Sequence, residues 1–295
     1  MRKIDMLLGI ALLAGLPLIV AAQEAPPAHR HGPAAEAGQA GRPSARMGRD
    51  WTRYPLIVAA PGGRGERGAN LLAVKNLEAA TLDVYAPDGP PERAHRRVDL
   101  TPEGAKVEPV SPKNGNYYWV SAREVKDDRI SVASSATYFS NPGKAPTQML
   151  LERRNELEII PQPLPREHGS YRESEKWRFL LRFDGQPLAN REVRMETEFG
   201  SKSTFTSGPD GLVTVLFPYD FKPEEPGKAD DPHRGPRRGR FVLAAEHEAD
   251  GKHYLTAFNF AYSPDAERGK SLWAGVGFLA LGMGLAVPLW RRKAV

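Results

Sequence analysis

The chain has 295 residues, 40% of them hydrophobic and 26% charged, with a formal net charge of +5 and no cysteine. The missing cysteines exclude disulfides, thiolate metal sites and a cysteine nucleophile, so stability must come from an apolar core. Two basic and one acidic residue fall in the first five positions and three basic residues in the last five, leaving 36 basic against 35 acidic elsewhere. The charge is a property of the ends, and it excludes a phosphate-tracking nucleic-acid binder, which needs a concentrated basic face.

Arg2 and Lys3 precede an apolar run over residues 6–22 that closes on Val20-Ala21-Ala22. Charged start, apolar middle and small-residue end are the three parts of a secretory signal peptide, read as residues 1–22; an uncleaved anchor is the alternative. Residues 23–66 read as a leader rich in Pro, Ala and Gly that cannot bury enough surface to order itself. The large apolar residues begin at Trp51. The Gly63-x-Gly65-x-x-Gly68 spacing imitates a dinucleotide fingerprint, which counts only between a strand and a helix.

Short β-branched and aromatic runs then alternate with turn signals such as Pro87-Asp88-Gly89, Asn114-Gly115, Asp184-Gly185, Pro209-Asp210-Gly211 and Asp250-Gly251. The spacing predicts strands over 71–76, 81–86, 116–122 and 129–139 in a first domain over 67–155, and a strand over 156–161 that opens the next. Period-two patterns predict further strands over 177–183 and 192–199, and an apolar run predicts a strand buried on both faces over 212–217. Residues 241–248 and 253–262 flank Asp250-Gly251 as a hairpin, giving a second domain over 156–262. The fold expected is mainly β: two antiparallel β-sandwiches of immunoglobulin or transthyretin type. The loop 218–240 carries five prolines and Arg234, Arg237, Arg238 and Arg240, and reads as a solvated insertion or a contact for anionic headgroups.

A juxtamembrane linker, 263–271, leads to 19 uncharged residues over 272–290, bracketed by Trp273 and Trp290 and closed by a basic tail, 291–295. Length, interfacial tryptophans and basic flank predict one C-terminal transmembrane helix with a cytoplasmic tail. The expected location is the bacterial inner membrane, with the bulk of the chain in the periplasm; a processed carboxy-terminal sorting segment is the alternative.

Three segments resemble a bacterial periplasmic family of unknown function: residues 157–163 (LEIIPQP), residues 179–189 (FLLRFDGQPLA) followed by Val193, and the closing pair over 243–258 (LAAEHEADGKHYLTAF). That family is associated with nickel and cobalt uptake systems. The likeness spans about 156–260, and the His-containing segment that many members carry after the signal is not matched. It implies a β-sandwich accessory protein, with a nickel or cobalt ion as ligand and a metal permease or other envelope protein as partner. A structural or interaction protein of the envelope that binds no metal is the alternative reading.

Candidate metal ligands follow from the imidazoles. His29 and His31 flank Arg30 on the leader, and neutral imidazole suits nickel, cobalt, copper or zinc. A two-residue turn at Asp250-Gly251 pairs Glu248 with His253 and His247 with Tyr254, which places Glu246, Glu248 and His253 on one face and sends His247 toward the core. No Gly-x-Ser-x-Gly, His-Glu-x-x-His or Ser-x-x-Lys motif occurs, and the chain reads as a binding protein rather than an enzyme.

Overall fold

A computed structural model describes residues 51–60, 68–111, 115–139, 143–165, 169–222 and 237–265, with residues 276, 277, 279 and 281–283. All belong to one unit, Gly48–Val295; the other unit, Met1–Met47, lies outside the described residues. In chain order the elements are β1 (Leu56–Ala59), β2 (Asn70–Lys75), β3 (Thr81–Tyr85), α1 (Pro91–Ala94), β4 (His95–Asp99), β5 (Ala105–Val107), β6 (Asn116–Lys126), β7 (Arg129–Phe139) and α2 (Thr147–Leu151). There follow β8 (Leu157–Gln162), β9 (Tyr171–Arg172), β10 (Lys176–Phe183), β11 (Gln186–Pro187), β12 (Glu192–Thr197), β13 (Lys202–Thr206), β14 (Leu212–Leu216), β15 (Gly239–Ala249) and β16 (Lys252–Ser263).

The long strands are joined by the turns that the sequence announces. Asp250 and Gly251 have φ of 50° and 73°, and Asp184 and Gly185 have 49° and 80°. Left-handed backbone at both central positions matches the twist of the flanking strands, so each Asp-Gly closes a two-residue hairpin. Asp127, at φ 53°, helps close β6 onto β7, where Lys126 pairs with Arg129. Gly211 is needed twice over. Its φ is 72°, and a Cβ there would sit 2.7 Å from the Leu181 carbonyl oxygen.

The described strands form three sheets. The largest runs β13-β12-β15-β16-β7-β6-β3-β4, with β9 joined to β16. Two small sheets cover its two faces. On one face lies β1-β2-β5: Tyr118, Val120 and Ala122 of β6 meet Ile57, Leu72 and Val107, while Val242 and Ala244 of β15 meet Leu56 and Val58. On the other face lie β8, β10, β11 and β14. There the alternate residues, Tyr117 and Trp119 of β6 and Phe241, Leu243 and Phe258 of β15 and β16, join Ile159, Phe179, Leu181, Val213 and Val215. Period-two alternation thus supplies both cores from the same strands.

This arrangement differs from two separate sandwiches. Strands from the expected domains 67–155 and 156–262 meet in one sheet, because β16 runs parallel to β7 with Thr256 opposite Val132 and Ala257 opposite Ala133. Burial of both faces at that seam favours continuity: Ala133 and Ala257 are fully buried. The leader boundary at residue 66 is corrected too, since β1 lies within 23–66 and its Leu56, Ile57 and Val58 are buried. Asn259 fixes β1 in place, its amide oxygen accepting from Ile57 N–H at 2.8 Å and its amide nitrogen donating to Ile57 C=O at 2.8 Å. The 212–217 run is also corrected: Val213 and Val215 are buried while Thr214 and Leu216 are exposed, an ordinary one-sided strand.

Among the described residues no helix is long and apolar enough to cross a membrane. The expected signal 1–22, linker residues 266–271 and tail 291–295 lie outside the described residues, as does most of 272–290. Within that run, residues 276, 277, 279 and 281–283 are helical, and Val276, Leu279, Leu281 and Met283 are all more than half exposed.

Candidate functional site

The hairpin pairs as its turn dictates, Glu248 with His253 and His247 with Tyr254. Glu248 and His253 come together: Glu248 Oε1 lies 3.0 Å from His253 Nδ1, and Asp128 Oδ2 lies 3.8 Å from Nε2. Glu246 is on the same face two residues away, opposite Leu255. These groups border a polar pocket of about 460 Å³ with Arg129 and Arg191. Two arginines on the rim oppose a dication. Among the described residues no three His, Asp or Glu side chains form a group able to hold a metal ion, so Glu246, Glu248 and His253 do not make a complete site by themselves. His29 and His31 lie outside the described residues.

His247 points to the other face, its ring edge-on to Phe183 with centroids 4.6 Å apart. Its Nδ1 is buried without a hydrogen-bond partner among the described residues. Burial, and after it the Arg191 charge, holds the imidazole below its ordinary range. It is a half-buried side chain packed on Phe183 that also borders the polar pocket.

The Gly63-x-Gly65-x-x-Gly68 spacing has β1 before it, but β2 rather than a helix follows Gly68. Among the described residues no helix follows the spacing to present an N-terminus to a pyrophosphate, which opposes the dinucleotide reading.

A second concavity was not legible as a site in the sequence. It is a cleft of about 920 Å³ between α2, the start of β6 and the end of β8. Pro146, Leu150 and Leu151 form one wall, Ile160 to Pro165 the other, with Tyr117 at its base and Asn116, Gln162 and Arg178 as polar groups. Its origin is local. β8 pairs with β10 on one side, and its Pro161, lacking an N–H, cannot donate to a further strand. Pro163 and Pro165 then remove two more backbone N–H donors from that wall. The hint in the sequence was the run Pro161-Gln162-Pro163-Leu164-Pro165, which begins at the last residue of the predicted strand 156–161.

Behind that cleft lies a group of buried charges. Arg182 donates from Nε to Glu158 Oε2 at 2.8 Å and from Nη1 to Leu151 C=O at 2.8 Å, and the Glu158 side chain is 3% exposed. Arg154, with 1% of its side chain exposed, lies 4.0 Å from the other Glu158 oxygen. Its guanidinium covers Tyr85 and Trp119 at 5.1 and 5.4 Å from the ring centres. None of its three nitrogens has a hydrogen-bond partner among the described residues. Burial moves Arg154 below the usual guanidinium range. Nothing in a one-dimensional pattern marks a charge as buried.

No family model matches the chain, and no curated protein matches it. Among solved structures, similarity is found to a bacterial ice-binding adhesin of 1.5 MDa (10% identity, 72% of this chain, 64% of that chain, TM-score 0.23). It is also found to the BSP domain of a biofilm-associated protein (10% identity, 67% of this chain and 27% of that one, TM-score 0.20). A third is Drosophila N-cadherin EC1–3 (11% identity, 72% and 68%, TM-score 0.19). The chain thus spans less than two thirds of the length of these two bacterial proteins, and the likeness extends to β-rich architecture only.

Proposed function

We propose that the chain is a non-catalytic, single-pass binding protein of the bacterial inner membrane, its body on the periplasmic side, that engages an envelope protein through the apolar cleft. The observation that carries this reading is the cleft itself, about 920 Å³ with walls of proline and leucine and polar groups at its edge. A concavity of that size and lining suits an apolar segment better than a reaction centre, since among its described lining residues no nucleophile stands beside a base. Gly169 on its wall adjoins Ser170, whose hydroxyl lies 2.6 Å from that of Ser263. The cleft therefore opens at the end of the body from which the chain continues toward 272–290. A membrane-resident partner is the natural occupant, and the signal and anchor inferred from the sequence remain part of this proposal.

The test is a photo-crosslinking residue at exposed Thr147, with a control at Asp250 on the hairpin tip. One dominant envelope-protein adduct is expected at Thr147, absent at Asp250 and abolished by Leu151→Arg. Identical adducts from both positions would overturn the cleft reading.

A second reading, an accessory role in nickel or cobalt uptake as the family resemblance implies, is favoured by the Glu248–His253 contact at 3.0 Å. That pair supplies two donors, and further ligands would have to come from elsewhere, His29 and His31 being the sequence candidates. Calorimetric titration with nickel, cobalt, copper and zinc tests it; affinity weaker than about 10 μM for all four, near −7 kcal/mol, would remove it.

A further inference from the structure

The body ends at Asp265, and that end is chemically unlike the opposite one. Tyr262 donates to Asp220, which also accepts from Thr197 Oγ1 at 2.7 Å and Ser201 Oγ at 2.5 Å. Glu173, fully buried, accepts from the backbone N–H of Phe221 at 2.5 Å and of Asp265 at 3.3 Å. Asp265 accepts from Ser174 at 3.0 Å, and Glu198 takes Arg240 at 2.8 Å. Among the described residues the carboxylates here are thus committed to internal partners. Lys222 and Arg238 are exposed, and Arg237 lies over the Phe221 ring at 5.4 Å. Beside them, Phe199 is 50% exposed and Tyr219 62% exposed. Phe199 contacts Phe221 and Tyr262 at ring separations of 4.9 and 6.3 Å, and Tyr219 and Lys222 flank Phe221 in the chain.

Chain length limits where this patch can lie. Six residues, 266–271, separate Asp265 from the apolar run 272–290. Six extended residues reach at most about 20 Å. The hairpin tip at Asp250 stands at the other end of β16, about 35 Å away along a strand of that length.

We infer that the face formed by Phe199, Tyr219, Lys222, Arg237 and Arg238 rests on the membrane, its aromatic rings in the interfacial layer and its cations on anionic phospholipid headgroups. This rests on the single-span reading above. Aromatic rings with an apolar body suit that layer, and juxtamembrane cations are drawn to anionic headgroups within a Debye length of the surface. The tether keeps the face within reach of the bilayer.

The chain contains no cysteine, so single reporters can be placed in the full-length protein. Tyr219→Cys and, as a control, Asp250→Cys carry a fluorophore in lipid nanodiscs of phosphatidylcholine with about one-third phosphatidylglycerol, doped with headgroup-nitroxide lipid. Strong quenching at 219 and none at 250 is expected. Each basic residue at such a surface changes the docked ratio about fivefold, so Lys222→Glu with Arg238→Glu should lower it at least about 25-fold. Failure of the chain to enter the discs would overturn the single-span reading together with this one. Entry with equal, weak quenching at both positions would overturn the docking face alone. Quenching at 219 that is the same in pure phosphatidylcholine would overturn headgroup recognition, leaving only the tether. Lipid contact absent in discs, with position 219 shielded in native membranes, would assign the face to a protein instead and overturn the inference.

Discussion

Replacing Arg154 by methionine should leave the protein as stable as before or make it more stable by about 1–3 kcal/mol. Arg154, Glu158 and Arg182 bring two guanidiniums and one carboxylate into an interior where their side chains are 1%, 3% and 5% exposed, which leaves one positive charge in excess. Arg182 is well used, bonded to Glu158 and to the Leu151 carbonyl. Arg154 is not, since its three nitrogens lack hydrogen-bond partners among the described residues. In its favour stand the two rings beneath it, worth about 2 kcal/mol when desolvated, and attraction to Glu158 at 4.0 Å. That attraction is about 4 kcal/mol at an effective dielectric of about 20, largely offset by repulsion from Arg182. Against it stand a desolvation cost of several kcal/mol and about 1–3 kcal/mol for each buried donor left unbonded. Methionine fills similar space and keeps a sulfur contact to the rings of about 0.3–1.5 kcal/mol. The converse change, Glu158→Ala, should cost about 3–5 kcal/mol, because it strands two buried cations. Urea unfolding with linear extrapolation measures both. A loss of more than about 2 kcal/mol for Arg154→Met would refute the reasoning and show that the aromatic clamp outweighs desolvation.

Asn259→Ala should destabilise by about 2–4 kcal/mol, since it removes one donor and one acceptor from the buried Ile57 peptide groups; hydrogen exchange at Ile57 should accelerate with it, and unchanged protection would contradict the clamp. Gly239→Ala drives a methyl group into Phe199, with Tyr262 3.0 Å and Phe221 3.2 Å from the new atom, and should cost about 1–3 kcal/mol while loosening the Tyr262 to Asp220 contact, read by near-ultraviolet circular dichroism. His247 has a folded pKa below its ordinary 6.5, so the unfolded chain binds its proton first. Its contribution is present above about pH 6.5 and is lost as pH falls through the folded value. His247→Gln should flatten that part of the stability profile, and an unchanged slope in urea titrations would refute the assignment.

The sequence by itself determined the local elements, because turns and strand periodicity are written in neighbouring residues. Asp250-Gly251 fixed the register that pairs Glu248 with His253, and the strand over 129–139 was read with its observed bounds, since a left-handed turn and a two-residue period need no distant information. Which strands adjoin was another matter. The parallel seam between β16 and β7 joins residues more than a hundred positions apart, and both edges carry the same small and β-branched residues that any central strand would show. Tertiary contact also turned Leu56, Ile57 and Val58 from the end of a leader into a buried strand, because Asn259 and the back of β15 cover them. The same holds for the cleft, created where a proline-bearing edge strand faces α2, and for Arg154, whose burial depends on rings from β3 and β6. Local rules specify conformation residue by residue; a shared sheet, a concavity and a buried charge exist only once separate segments exclude water together.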